Sequence, residues 1–428
     1  MKKIMLITAL ITAVINIASV ELSAKNTVLL VQPFHNTGDS KYSWISAGIT
    51  DSVISDLSRL KSIGVVSDID RKKALREITL GQTGLFSDET VTQAGKMTGA
   101  NLIFSGSYLV SGLKIRVNAR IINVATGKIE KSVKIDGTVD DIFGVQDKIV
   151  INLIEESGKI TIENVKPVAI DSEEKKKLST GYKPKNDVYE WYSKGLEVKD
   201  SDPKKALVFF KKAIEADPEY TAALIEAGNT AGEYLSLFDE ATGFLKKAEK
   251  VFQKRGDTMS KGYAVLMMHF GTVSWSKRDL DPALEYFMKS RVIMEKLGLQ
   301  NTGDYAKFMH ETGAVYWAKG EFDRAHEYFL KSRETREKAG LQDTNSYAEL
   351  MNDIGVLYHV KGELDSALEY YMKAKGIRDK LNLQNTNGYA VMLMNFGNLY
   401  EKKGQADLAL EYYMKSRAIR EVAGLENT

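Results

Sequence analysis

Residues 303–344 read GDYAKFMHETGAVYWAKGEFDRAHEYFLKSRETREKAGLQDT, and the pattern of this 42-residue stretch occurs once before it and twice after it. Tyr305-Ala306 recurs as Tyr263-Ala264, Tyr347-Ala348 and Tyr389-Ala390. Gly313 recurs as Gly271, Gly355 and Gly397, Ala325 as Ala283, Ala367 and Ala409, and Phe329 as Phe287, Tyr371 and Tyr413. A fixed period of this kind means one supersecondary unit stacked on copies of itself, because a single unit cannot bury its apolar face. The spacing therefore predicts an all-α solenoid with an extended binding surface.

The recurrent positions have physical roles. Gly271 and its equivalents are expected to face Ala283 and its equivalents, so that two helix backbones approach closely. Phe287 and its equivalents are expected to fill the gap between neighbouring units. Asp281, Asp323, Asp365 and Asp407 stand just before the second helix of each unit, where a short carboxylate can accept from free backbone N–H groups. Gly320, Gly362 and Gly404 sit where the first helix must turn, a place taken by Arg278 in the first copy. Thr302, Thr344 and Thr386 read as N-caps.

The chain has 428 residues, more than one hydrophobic core holds, so at least two domains are expected. Lys and Arg number 59 against 57 Asp and Glu, a balance that gives no electrostatic case for nucleic acid or an anionic membrane. Cysteine is absent, which excludes disulfides, thiolate metal sites and a lipidated N-terminal Cys. Lys2 and Lys3 precede an apolar run from Ile4 to about Val20, and Leu22-Ser23-Ala24 offers a peptidase a small residue. Residues 1–24 thus read as a signal peptide. The rival is a retained anchor, for which the run is slightly short and carries polar interruptions. Either reading puts the bulk of the protein outside the cytoplasm, periplasmic or associated with the outer membrane.

Residues 26–157 read as an α/β domain. Thr27 to Val31 is an apolar run of strand length with turn residues Pro33 to Asp39 after it. Ile45, Ile49, Val53 and Leu57 keep a four-residue spacing, which predicts a helix with one buried face. A second strand is expected at 63–66 and helices near 70–79 and 87–98. Leu113, Ile115, Val117, Ala119 and Ile121 alternate with polar residues, a strand with one wet face. Ala125-Thr126-Gly127 turns it into a partner at 128–137. Between 158 and 186 the periodicity fades, and Lys166-Pro167 and the charged run 173–177 predict a linker that lets the domains reorient.

Two resemblances follow from these residues. Val28 to Phe34, Gly38-Asp39, Trp44, Gly48, Asp51, Gly99 to Ile103, Gly106-Ser107-Tyr108, Arg116 and Asn123 to Gly127 come in the order of the TolB-like amino-terminal domain of bacteria, which the first 120 or so residues of this unit resemble. The resemblance implies an envelope interaction domain without catalysis. Related components serve flagella and curli secretion, and the missing acylated Cys departs from the curli-secretion lipoprotein. In the second half, Gly195, Ala206, Phe210, Ala213 and Pro218 match tetratricopeptide positions, and Gly228, Ala241, Leu245 and Ala248 give a looser second unit. The 42-residue units are similar to the longer repeats of kinesin light chains. About six tetratricopeptide repeats are therefore expected over 187–428.

In such a solenoid the concave face is lined by the first helix of each unit. Counting from the glycine, Met268, Thr272 and Trp275, then His310, Ala314 and Trp317, then Asn352, Val356 and His359, then Met394, Asn398 and Glu401 are expected there. Together they offer stacking, hydrogen bonds and adaptable apolar contact to a peptide. Equally, Trp275 and Trp317 can pack between helices. His269, His310 and His359 share no repeat position, so no metal is expected, and Lys and Asn do not recur as a carboxylate clamp. Lys289, Lys331, Lys373 and Lys415 each follow a Glu by four residues, which reads as a solvated face.

Phosphate loops, nucleophile elbows and thiols are all missing, so no catalytic residue and no cofactor is expected. The chain stops at Thr428 with no polar capping helix, which predicts self-association through that end. The reading is a non-enzymatic cell-envelope adaptor that binds protein or peptide partners through the groove. Its alternative is a ligand-responsive regulator or secretion-apparatus subunit acting through the α/β domain.

Overall fold

The computed structural model describes residues 27–60, 63–66, 68–80, 88–163, 165–170, 178 and 182–422. The expected signal peptide lies outside them. Apolar runs and alternation build one sheet from β1 (Thr27–Val31), β2 (His35–Asn36), β3 (Ile63–Val65), β4 (Leu102–Ser111), β5 (Lys114–Asn123) and β6 (Ile129–Thr138). Its order is β3-β1-β4-β5-β6, with β2 also on β4. β1 runs parallel to β3 and β4, while β4, β5 and β6 form an antiparallel meander. Gly127, at φ 68°, makes the expected turn between β5 and β6.

Helices cover both faces of the sheet. α1 (Trp44–Leu57) and α4 (Ile142–Ser157) bury Ile45, Ile49, Val53, Ile149 and Leu153 in a core with Leu29, Val31, Phe104 and Val117. α2 (Asp68–Leu80) and α3 (Asp88–Thr98) pack Ala74, Ile78, Ala94 and Met97 with Leu30, Ile103 and Ile122 in a second core. Sequence reading assigned no strand at β4 and no helix at α4. β4 is buried on both faces along its first half, so its burial does not alternate. α4 did carry a signal, since Ile142, Val145, Ile149 and Leu153 recur at helical spacing and are buried.

Six helical pairs follow: α5 (Asn186–Val198) with α6 (Pro203–Ala216), α7 (Thr221–Asn229) with α8 (Phe238–Lys254), and α9 (Lys261–Ser276) with α10 (Leu280–Lys296). Next come α11 (Gly303–Ala318) with α12 (Phe322–Lys338), α13 (Asn345–Lys361) with α14 (Leu364–Lys380), and α15 (Asn387–Lys402) with α16 (Ala406–Val422). Thr302, Thr344 and Thr386 cap α11, α13 and α15, each accepting from the N–H three residues on. Gly320, Gly362 and Gly404 take positive φ at the turn, and Arg278 adopts φ 63° in their place in the first copy. Phe287 meets Phe308 of the next unit at 5.9 Å between ring centroids, and Tyr371 meets Phe396 at 5.5 Å, as a gap-filling role requires.

One expectation is extended and one corrected. The repeat glycines face the aromatic ring as well as the alanine: a Cβ on Gly271 would lie 2.3 Å from the Phe287 ring, and one on Gly313 2.5 Å from Phe329 and 3.3 Å from the Ala325 carbonyl oxygen. The repeat aspartates do not cap. Asp281, Asp323 and Asp365 lie inside the first turn of their helices and accept from Lys319, Lys361 and Lys403 of the next unit. A carboxylate already past the helix start finds an ammonium closer than a free N–H, so the unit is tied to its successor.

The segment 158–186 is no loose tether at its described residues. Ile160, Val168 and Leu178 are buried in the core that also holds α4 and α5. The apolar side chains between the charged ones anchor it.

Candidate functional site

The α/β domain meets the solenoid at α5, at the amino-terminal ends of α9 and α13, and at the connections after α12 and α14. Tyr192 on α5 donates to Asp51 Oδ2 on α1 at 2.8 Å, and Tyr189 lies 3.1 Å from Ser52 Oγ and accepts from Gln146. Burial pushes both phenols up, so each stays neutral in its role as hydrogen-bonding group. Lys72 pairs with Asp200, in the turn after α5, at 2.7 Å, and farther along Lys73 pairs with Glu349 at 2.6 Å, both lysines from α2. Lys261 on α9 donates to the Ser58 carbonyl at 3.3 Å. Gln93 on α3 donates to the Leu381 carbonyl, and Leu381 and Leu383 are buried in the second core of the α/β domain. Gly99, at φ 72°, lets the chain pass Thr344, whose Cγ2 would be 2.7 Å from an added Cβ.

Between these contacts a cleft of about 820 Å³ remains, lined among others by Val65, Asp70, Lys73, Lys307, Arg336 and Glu349. Its electrostatics are mixed. Burial pulls the Lys307 ammonium down, but the carboxylates of Asp70, Glu311 and Asp304 outweigh it and hold the group above its usual value. Burial raises Glu311 against the pull of Lys307 and His310. Desolvation pushes His269, half-buried on α9, down to about 4, so it stays neutral. Sequence reasoning missed this cleft, because its walls come from residues more than two hundred positions apart with no local pattern to join them.

The predicted groove residues fall into two sets. His310 and Asn352 belong to a ladder along the concave face: His310 Nε2 lies 2.7 Å from Asp353 Oδ2, and Asn395 donates to Asn352 Oδ1 at 2.9 Å. Lys261 with Asp304 at 2.9 Å continues it. Each partner stands one residue past the 42-residue equivalent, a lateral offset that alignment by glycine hides. Asp353 and Asn395 were missed for this reason. Thr272 donates back to the Met268 carbonyl, and His359 gives its carbonyl to Lys402. Asn398 and Glu401 both accept from Tyr413 at 2.8 and 2.7 Å.

Trp275 and Trp317 sit at the far end of their helices, half-buried. Trp317 packs edge-on against Phe322, with 5.0 Å between centroids. Among the described residues, no hydrogen bond or ion pair joins Trp275, Trp317, His359 or Met394 to the α/β domain. The contacts with the domain fall at the amino-terminal ends of α9 and α13, while Trp275, Trp317 and His359 stand at the carboxy-terminal ends of their helices. The Glu and Lys pairs on the outer helices form as expected and lie exposed, at 2.7 Å for Glu285 with Lys289 and for Glu369 with Lys373.

Residues 346–421 match the family model described as tetratricopeptide repeat. With the six helical pairs, this makes the second half of the chain a tetratricopeptide-repeat solenoid, the class of fold that serves as a protein-interaction scaffold. Among curated proteins the chain is similar to a putative adenylate cyclase 3 of Rhizobium meliloti (strain 1021), at 27% identity over 135 residues, 31% of this chain and 21% of the relative. The chain thus spans about a fifth of that relative's length. Similar solved structures include BtubC (BKLC) from P. vanneervenii, with TM-score 0.45 and 17% identity over 53% of this chain and 92% of that one. The type IV pilus biogenesis factor PilW gives TM-score 0.43 and 17% identity over 54% and 92%. A putative kinesin light chain of Podosopora anserina gives 0.42 and 16% over 49% and 99%.

Proposed function

We propose that the protein is a non-enzymatic adaptor of the cell envelope, exported by its leader to the periplasm or the outer-membrane face, that binds a partner protein through its groove. The observation that carries this reading is the row Trp275, Trp317, His359 and Glu401, each four residues past its repeat glycine, which no polar contact among the described residues ties to the α/β domain. Half-buried indoles beside hydrogen-bonding groups are the side chains that anchor peptides, since they offer a large rigid area at low entropic cost. The α/β domain, TolB-like in its motif order, contributes a second docking surface, and exposed Leu410 and Met414 on α16 support self-association through the last repeat. No helix among the described residues is long and apolar enough to cross a membrane.

The test is capture of partners by the immobilised chain from an envelope extract, read by mass spectrometry. One distinct protein retained by the wild type and lost on Trp317→Ala with His359→Ala supports the adaptor. Retention unchanged by those substitutions removes the groove from the function. A second reading, a ligand-responsive regulator acting through the α/β domain, is favoured by the cleft of about 820 Å³ between that domain and the solenoid. A small molecule that raises the melting temperature of the wild type but not of Lys307→Ala would select it.

A further inference from the structure

The sheet of the α/β domain ends on a long open strand. β6 pairs with β5 on one side and, among the described residues, has no strand on the other. Its side chains alternate cleanly: Ser132, Lys134, Asp136 and Thr138 are exposed, whereas Ile135 is buried and Val133 and Gly137 are half-buried against α4. The direction of its backbone groups follows from the register. Val139 N–H donates to the Leu113 carbonyl at 2.8 Å, and Ile115 faces Gly137, Val117 faces Ile135 and Ala119 faces Val133. Bonded pairs recur every second residue in an antiparallel ladder, so Val133, Ile135 and Gly137 spend their N–H and C=O groups on β5. Those of Ser132, Lys134, Asp136 and Thr138 point outward. Beyond this stretch the ladder is irregular, because Glu130 is the extra residue of a bulge opposite Ile121 and Ile122.

An open edge of this length is a template for a further strand unless something opposes it. Charge on the edge is the usual opposition, and here the charges complement themselves. If a second β6 lies antiparallel about a two-fold axis through Ile135, Lys134 faces Asp136 of the other copy twice and Ser132 faces Thr138 twice. All four outward residues then fall in bonded positions. Opposite charges and paired hydroxyl side chains are favourable across strands, and like charges are not. Centring on Lys134 or on Asp136 instead sets two like charges face to face, and centring on Val133 or Gly137 leaves the two charges without each other, so the register through Ile135 is favoured. Asp136 also accepts from Arg116 Nε at 2.6 Å on the side facing β5, and its carboxylate stays exposed.

We propose that β6 is a homodimerisation edge, joining two copies into one continuous sheet through Ser132 to Thr138. This surface is distinct from the last repeat and from the groove, so a dimer would carry two grooves. Edge pairing gives an isologous contact, which closes at two copies and does not propagate.

Sedimentation velocity on the full chain tests it, with a species of about twice 47.7 kDa expected at micromolar concentration. Ser132→Pro removes an outward N–H and no bond to β5, so it is expected to give a monomer whose far-UV circular dichroism is unchanged. Lys134→Asp is expected to weaken the dimer about tenfold or more, and Lys134→Asp combined with Asp136→Lys to regain it. A wild-type monomer at about 50 µM overturns the proposal, as does a dimer indifferent to Ser132→Pro. A dimer kept in Ser132→Pro and lost in Leu410→Glu would assign association to the last repeat and overturn it equally.

Discussion

The α/β domain touches the solenoid in two places that are built differently. At the first helical pair the contact is aromatic and buried: Trp44 meets Tyr189 edge-on at 6.2 Å, Phe143 lies 4.9 Å from the same ring, and Gly48 leaves no room for a Cβ, since Ser193 Oγ would be 2.3 Å away. At the later units the contact consists of two leucines, a side-chain amide on a carbonyl and one ion pair, Lys73 with Glu349. Apolar burial is insensitive to salt and strong per residue, while half-exposed ion pairs are weak and screened. The domain is therefore fused to the first unit and clasped to the later ones. The clasp reaches the amino-terminal end of α13 and the connection after α14, so the same domain is anchored at the first unit and again at the fifth.

The strongest way to break this distinction is to weaken the fused contact. Tyr192→Ala removes a fully buried ring and its bond to Asp51, and a loss of about 3–5 kcal/mol is expected from the denaturant midpoint. Leu383→Ala at the clasp should cost about 2–3 kcal/mol, near the low end for buried leucine, because the solenoid keeps its own core when the clasp loosens. Equal losses would mean that the two contacts are one cooperative core. Among the repeats, Gly355→Ala presses a Cβ to 2.5 Å from the Tyr371 ring and should cost about 1–3 kcal/mol. Gly376→Ala, with open space around its Cβ, should cost nothing or stabilise slightly by helix propensity.

Those glycines show what was legible in the chain. Four copies of Gly271 announced close approach, and the caps at Thr302, Thr344 and Thr386 announced where each unit starts, because repetition separates a constrained position from a free one. Repetition says where a side chain recurs but not what it touches. The aspartates kept their place and changed their role, binding the next unit's lysine. His310 found Asp353 by an offset of one residue that no column of equivalents contains. In the α/β domain nothing repeats, so β1, β3, β5 and β6 were read from alternation or apolar runs and β4, sunk between two helix layers, was not. The cleft and the clasp were invisible for a stronger reason: they depend on which way the domain folds back, and only packing decides that.

A pH series sharpens the account of the fused side. Burial raises the Asp56 carboxyl on α1 to about 6, with Arg59 opposing and Asp147 adding to the shift. A carboxyl whose folded value lies above its unfolded one favours folding while protonated. Its contribution is full below about pH 4 and is lost as pH rises through 6, at a ceiling of about 3 kcal/mol for a two-unit difference. Asp56→Asn cannot ionise, so its stability relative to the wild type should climb between pH 4 and 7 by about 1–3 kcal/mol and then level off. A parallel pair of stability curves would place Asp56 in solvent and loosen the packing of α1 against α4.

The smallest expected effect lies in the clasp's ion pair. Lys73 and Glu349 approach to 2.6 Å with the lysine side chain 46% exposed, so solvent screens most of the attraction. Lys73→Ala, Glu349→Ala and the double substitution should give a coupling below about 1 kcal/mol, falling further at high salt. The clasp therefore rests on Leu381 and Leu383, and ionic strength alone should leave it closed. In Leu383→Ala, amide hydrogen exchange should show the α2 amides gaining exchange while those of α1 stay protected. Protection lost together on both helices would join clasp and fused core into a single unit.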